Sequence, residues 1–151
     1  MKELKIMLVD DEKRFLATTQ KLLAREGYDI LTAESGEEAL EMLKSHNIHV
    51  VILDVKMPGL DGIATLKEIK SLFPLIEVIM LTGNATVESA IDGLKSGAFD
   101  YLMKPCDIDE LIKKTAEAFE KRQKLEEKIS MARTRSYMKS PREILKQTEG
   151  T

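Results

Sequence analysis

Val50-Val51-Ile52-Leu53-Asp54 is apolar without a break and then stops on a carboxylate. A strand with one face in water alternates in polarity, whereas a strand covered on both faces is apolar throughout. Residues 50–53 therefore read as a central parallel strand, and Val78-Ile79-Met80-Leu81, which stops at Thr82, reads the same way. Working outward, Leu4-Lys5-Ile6-Met7-Leu8-Val9 ends on Asp10-Asp11, and Phe99-Asp100-Tyr101-Leu102-Met103 ends on Lys104-Pro105. Strands are expected near 4–9, 28–33, 49–53, 77–81 and 99–102. Segments of helical period separate them, the signature of βαβ units and a parallel sheet.

The helices carry their own start and stop signals. Phe15, Leu16, Thr19, Leu22 and Leu23 recur at three-to-four spacing, so Glu12–Glu26 reads as an amphipathic helix stopped by Gly27. Ser35-Gly36-Glu37-Glu38 has the form of a capping box and opens a second helix. Asp61-Gly62 precedes a third that runs toward Pro74, and Thr86 caps a fourth that ends near Gly97. After Asp107, Leu111, Thr115, Ala118, Arg122, Leu125, Ile129 and Ala132 alternate at four- and three-residue spacing. The early part of this long helix is expected to pack on the sheet, and the part beyond about Arg122 to project or lie against a partner. Ser140-Pro141-Arg142-Glu143 signals a short final helix in 141–147. The expected architecture is α/β: a doubly wound five-stranded parallel sheet with an extended C-terminal helix.

Composition fits one soluble globular domain plus a tail, with 43% apolar and 32% charged residues among 151. No apolar run is long enough to span a bilayer. The chain enters its first strand almost at once, leaving no room for a signal peptide, so a cytoplasmic location is expected. Cys106 is the only cysteine and has no neighbour at metal-ligand spacing, so it reads as structural. From Lys121 onward nine basic residues face four glutamates, a net +5 that leaves −8 for residues 1–120 out of a total of −3. An acidic body suits a cation, while the basic tail reads first as a solvated helix face.

In open parallel sheets, ligands bind outside the carboxyl ends of the strands. That rule brings Asp10, Asp11, Asp54, Thr82 and Lys104 to one rim. An aspartate after a strand is often only a turn former, but three with a hydroxyl and an amine at neighbouring strand ends make a phosphate-handling set. Crowded carboxylates repel one another unless a cation is bound. Magnesium, a hard ion that prefers oxygen, fits them.

Val9-Asp10-Asp11, Leu53-Asp54-Val55-Lys56-Met57-Pro58-Gly59, Leu81-Thr82-Gly83 and Tyr101-Leu102-Met103-Lys104-Pro105 resemble the receiver domain of bacterial response regulators. The resemblance covers roughly residues 4–120, making 1–120 the receiver domain and 121–151 a helical basic extension. It implies a flavodoxin-like strand order 2-1-3-4-5. It implies that Asp54 accepts a phosphoryl group from the phosphohistidine of a sensor histidine kinase or phosphotransfer protein. Asp11 and Asp54 are then expected as direct ligands of Mg2+ (or Mn2+), with Asp10 acting through water and the backbone carbonyl of Lys56 completing the set. Lys104 is expected to pair with Asp54 and then with the phosphoryl group. Thr82 is the expected switch hydroxyl, and Tyr101 the aromatic that turns inward behind it. Lys104-Pro105 is expected to be a cis peptide, and Met57-Pro58-Gly59 a tight turn beneath Asp54. The Lys56 and Asn84 side chains are expected to tune the lifetime of the phosphorylated form. The surfaces implied for an output protein or a homodimer are helix 4, strand 5 and helix 5, or the C-terminal helix.

Catalysis would be limited to the chain's own phosphotransfer and dephosphorylation, making this a signalling module and not an enzyme acting on other substrates. A magnesium-dependent phosphohydrolase of the haloacid dehalogenase type also uses an aspartyl phosphate. It requires a second Asp two positions after the nucleophile, where Asp10 is followed by Glu12. A third reading is a fragment of a longer transcription regulator, since Leu81–Glu110 looks like receivers that precede ATPase modules. No Gly-rich Walker loop follows within the chain, and no three-helix DNA-binding unit is evident, so a stand-alone receiver is favoured, with neither DNA nor membrane as partner.

Overall fold

The computed structural model describes residues 4–56, 61–83 and 86–137. Among these residues five strands, β1 (Lys5–Val9), β2 (Asp29–Ala33), β3 (Val50–Leu53), β4 (Glu77–Thr82) and β5 (Asp100–Met103), alternate with five helices. The helices are α1 (Lys13–Arg25), α2 (Gly36–Leu43), α3 (Gly62–Leu72), α4 (Val87–Lys95) and α5 (Ile108–Tyr137). The sheet is parallel in the order β2-β1-β3-β4-β5. Each strand lies within one residue of its expected ends. The expected turn at Met57-Pro58-Gly59, Asn84 and the helix in 141–147 lie outside the described residues.

Every residue of β3 and β4 is buried, as their unbroken apolar runs require. Two cores follow from the alternation of side chains through the sheet. Met7, Val9, Val51, Leu53, Val78 and Met80 pack with Leu43, Leu66 and Ile69 of α2 and α3. Ile6, Leu8, Val50, Ile52, Ile79 and Leu81 pack with Leu16, Leu23, Leu111 and Phe119 of α1 and α5.

The caps form largely as read. Gly27 and Gly97 adopt φ of +91° and +108° just past α1 and α4, a region that favours glycine. The Asp61 side chain accepts the Ala64 N–H. At α2 only half of the expected box closes. Ser35 Oγ accepts the Glu38 N–H, but Glu38 Oε2 takes the Glu34 N–H at 3.1 Å. The glutamate side chain is long enough to reach past the cap.

α5 continues unbroken from the sheet to Tyr137. Leu111, Thr115, Ala118 and Arg122 are buried in turn, after which only Leu125 is partly covered as far as residue 136. Arg122 ends the packed section by donating from Nη1 to the Ile48 carbonyl at 2.7 Å and from Nε to Glu126 at 2.7 Å. Arg122→Ala should therefore cost about 2 kcal/mol, since a buried carbonyl loses a charged donor. Arg135→Ala, on the exposed section, should stay within about 0.5 kcal/mol of the parent in the same urea denaturation. Equal costs would mean that the helix does not divide at this point.

Sequence reading missed Glu77, the first residue of β4, which is 1% exposed. Two amines from different helices flank it, Lys70 at 3.8 Å and Lys121 at 3.4 Å. Pairing of this kind is what a buried carboxylate needs.

Candidate functional site

β1, β3, β4 and β5 end at one rim, and the residues at or just past their ends bring four functional side chains there. Asp10 and Asp54 are 2% and 5% exposed, and Thr82 is 1% exposed. The Asp54 N–H donates to the Val9 carbonyl at 2.9 Å, and the Lys104 N–H to the Thr82 carbonyl at 2.9 Å. Main-chain bonds therefore fix Asp54 beside β1 and Lys104 beside β4. The Lys104-Pro105 peptide is cis.

Lys104 lies at the centre of the charges. Its Nζ donates to Asp10 Oδ2 at 2.6 Å and to Glu12 Oε1 at 3.3 Å, and stands 3.9 Å from Asp54 Oδ2. The same amine sits 4.1 Å from the centre of the Phe15 ring, a cation–π contact that steadies a desolvated ammonium. Asp10 Oδ1 accepts the Glu12 N–H at 2.9 Å, and Asp54 Oδ1 accepts the Lys56 N–H at 3.3 Å.

Burial, more than mutual repulsion, raises the Asp10 carboxyl above its ordinary value. The Asp54 charge adds to this, while Lys104 and the Glu12 N–H oppose it. Burial pulls the Lys104 amine down, but its bond to Asp10 and the charges of Asp10, Asp54 and Glu12 together raise it. It stays a cation.

Asp10, Glu12 and Asp54 each place a carboxylate oxygen within 4.8 Å of the others. Three anionic oxygen donors against one ammonium leave a net negative pocket, the donor set that a hard divalent cation takes. Asp11 is exposed and stands outside this group. Glu12, which sequence reading placed at the start of the first helix and used to separate this chain from a phosphohydrolase, stands inside it. The signal was there in the run Asp10-Asp11-Glu12, but a residue at the start of a helix reads first as a solvated cap.

Tyr101 lies beside Met80 in the β4–β5 register, two residues along β4 from Thr82 and on the same face. Its hydroxyl is 3.1 Å from Ser89 Oγ in the first turn of α4. The Lys56 side chain is exposed.

The profile of the response regulator receiver domain family matches residues 6–116. The chain belongs to that family. The receiver is 46% identical over 106 residues to the transcriptional regulatory protein ZraR of Escherichia coli (strain K12), covering 70% of this chain and 24% of ZraR. The chain thus spans about a quarter of the length of the curated relatives it matches. Among solved structures, it is similar to a response regulator receiver domain from Clostridium thermocellum, with 39% identity and a TM-score of 0.77 over 81% of this chain and 98% of that one. It is also similar to the beryllofluoride-activated NtrC4 receiver domain dimer, with 34% identity and a TM-score of 0.75 over 81% and 99% of the two chains.

Proposed function

We propose that this receiver takes a phosphoryl group on Asp54 from the phosphohistidine of a sensor histidine kinase or phosphotransfer protein, and that the modification switches its binding to another protein. The observation that carries this reading is the meeting of a buried Asp54 with Lys104 and the Asp10 and Glu12 carboxylates at one rim. An Asp54 oxygen attacks phosphorus, the phosphorus–nitrogen bond of the donor breaks, and the imidazole leaves with the bonding pair. Lys104 is free to exchange its Asp10 contact for the incoming phosphoryl oxygens. Bound Mg2+ (or Mn2+) would supply positive charge against those oxygens. Asp10, Asp11, Asp54 and the Lys56 carbonyl are the expected holders, and Glu12 lies within reach. Positioning and charge stabilisation supply most of such catalysis. The chemistry acts on the chain itself, and a cytoplasmic setting goes with it. Among the described residues no helix is long and apolar enough to cross a membrane.

Intact mass after incubation with a small acyl phosphate tests the reading. Wild type should gain one phosphoryl group only when magnesium is present, and Asp54→Asn none. Gain in the variant equal to wild type would sink the assignment.

The Thr82 hydroxyl would then turn to a phosphoryl oxygen, and Tyr101 would follow it inward. A phosphoryl group shifts the equilibrium only by contacts that differ between the two arrangements. Thr82→Ala should therefore take up phosphate but lose most of the phosphorylation-dependent change in α4 and β5 amide resonances. A full change in that variant would contradict the coupling.

The output surface proposed is α4, β5 and α5, where Ile91, Leu94 and Met103 are 45%, 48% and 55% exposed. A second copy of the receiver is one fitting partner there, given that a similar receiver is described as a dimer. We divide the chain into a receiver at 1–120 and a basic helical extension at 121–151. The quarter-length match is compatible with the alternative reading as a piece of a longer regulator.

A further inference from the structure

The hydrogen bond between Tyr101 and Ser89 joins the proposed switch to the start of α4, and the proton count at Ser89 shows what kind of joint it is. Thr86 is the N-cap of α4, and Ser89, three residues on, closes a reciprocal box with it. The Ser89 N–H donates to Thr86 Oγ1 at 3.0 Å, and the Thr86 N–H donates to Ser89 Oγ at 3.0 Å. Three more oxygens surround Ser89 Oγ: the Thr86 carbonyl at 3.0 Å, Thr86 Oγ1 at 3.1 Å and the Tyr101 hydroxyl at 3.1 Å.

A hydroxyl has one proton and two lone pairs. The Thr86 carbonyl can only accept, so it takes the Ser89 proton. The Thr86 N–H occupies one lone pair. The other is open to the proton of either Tyr101 or the Thr86 hydroxyl, and not to both. When Tyr101 fills it, Tyr101 is the donor, and when its ring moves the Thr86 hydroxyl can take its place. Ser89 keeps a full set of partners in both cases.

The Tyr101 ring lies beside Gly93, where an added Cβ would stand 3.7 Å from Tyr101 Cδ2.

We propose that Ser89 is a positioning residue of the switch, holding Tyr101 against α4 through its hydroxyl and so setting how readily the ring follows Thr82. The proposal rests on the assignment of Thr82 and Tyr101 given above. Because Ser89 loses nothing on release, the bias is that of one ordinary hydrogen bond. Its removal should change the resting equilibrium constant about two- to tenfold.

The test follows α4 and β5 amide resonances of the free protein and of the same protein with magnesium and beryllofluoride, reading the resting population by interpolation between the two. Tyr101→Phe cuts the joint without touching the capping box, whereas Ser89→Ala cuts it and also removes the acceptor of the Thr86 N–H, so the variants are compared on the β5 resonances, away from the cap. Each should move the resting resonances toward the beryllofluoride-bound positions. The double variant should move them no further than Tyr101→Phe alone, and Ser89→Thr, which keeps a hydroxyl, should rest with wild type. Resting positions equal to wild type in both single variants, or effects that add in the double, would overturn the role of Ser89 while leaving the receiver reading intact. A wild type that does not respond to beryllofluoride would overturn both.

Discussion

Gly62→Ala should destabilise the receiver by about 3 kcal/mol or more, measured by urea denaturation. Gly62 is the first residue of α3, and its N–H donates to the Val55 carbonyl at 2.8 Å. A Cβ at this position would overlap the Asp54 carbonyl oxygen and stand 2.5 Å from the Val55 Cα. These obstacles are main chain, so no rotamer change relieves them. The requirement is close approach, since the Gly62 backbone is not left-handed. α3 lies directly against the segment that presents Asp54, so forcing the two apart would also displace the proposed acceptor. A loss below about 1 kcal/mol would mean that α3 can tilt away freely, and that this contact does not hold the site.

Asp10→Asn should make the protein more stable than wild type at pH 7 in a chelator, and less stable in magnesium. Burial raises the Asp10 carboxyl above 3.8 in the folded chain. A group that binds its proton more tightly when folded costs stability as pH rises from about 3.8 through its folded value, and the penalty stands once the group is ionised. Asparagine carries no such penalty, and Lys104 keeps Glu12 and Asp54 as neighbours. A cation reverses the order, because wild type at a hundred times its dissociation constant gains about 2.7 kcal/mol. The variant, short of one anionic oxygen, gains less. Melting temperatures in chelator and in magnesium decide it. A variant that gains as much as wild type when chelator is replaced by magnesium would show that Asp10 does not help to hold the ion.

The apolar runs made the sheet legible because their lengths and endings are local properties. Val50–Leu53 needed no partner to be read as a central strand, and Gly27 needed none to end α1. The rim followed from the same reading, since Asp10, Asp54, Thr82 and Lys104 are the residues at which strands stop. Even Arg122 fell on the buried face of α5 by spacing alone.

What stayed hidden depends on neighbours distant in sequence. Glu77 is buried because Lys70 and Lys121 reach it from two other elements. Glu12 enters the acidic cluster because Lys104, 92 residues away, draws its carboxylate toward Asp10. Ser89 resembles any polar residue in a first helical turn until β5 places Tyr101 beside it. Asp11, which the motif names as an expected ligand, lies exposed between β1 and α1.

The most direct test of the central claim is to locate the phosphoryl group. Protein treated with a small acyl phosphate and magnesium is reduced with borohydride, which converts an aspartyl phosphate to homoserine, and is then digested and sequenced by mass spectrometry. Homoserine at position 54, and at no other aspartate, is the result this account predicts. Homoserine at position 10 or 11, or a phosphoryl group retained on a residue that borohydride does not reduce, would contradict it.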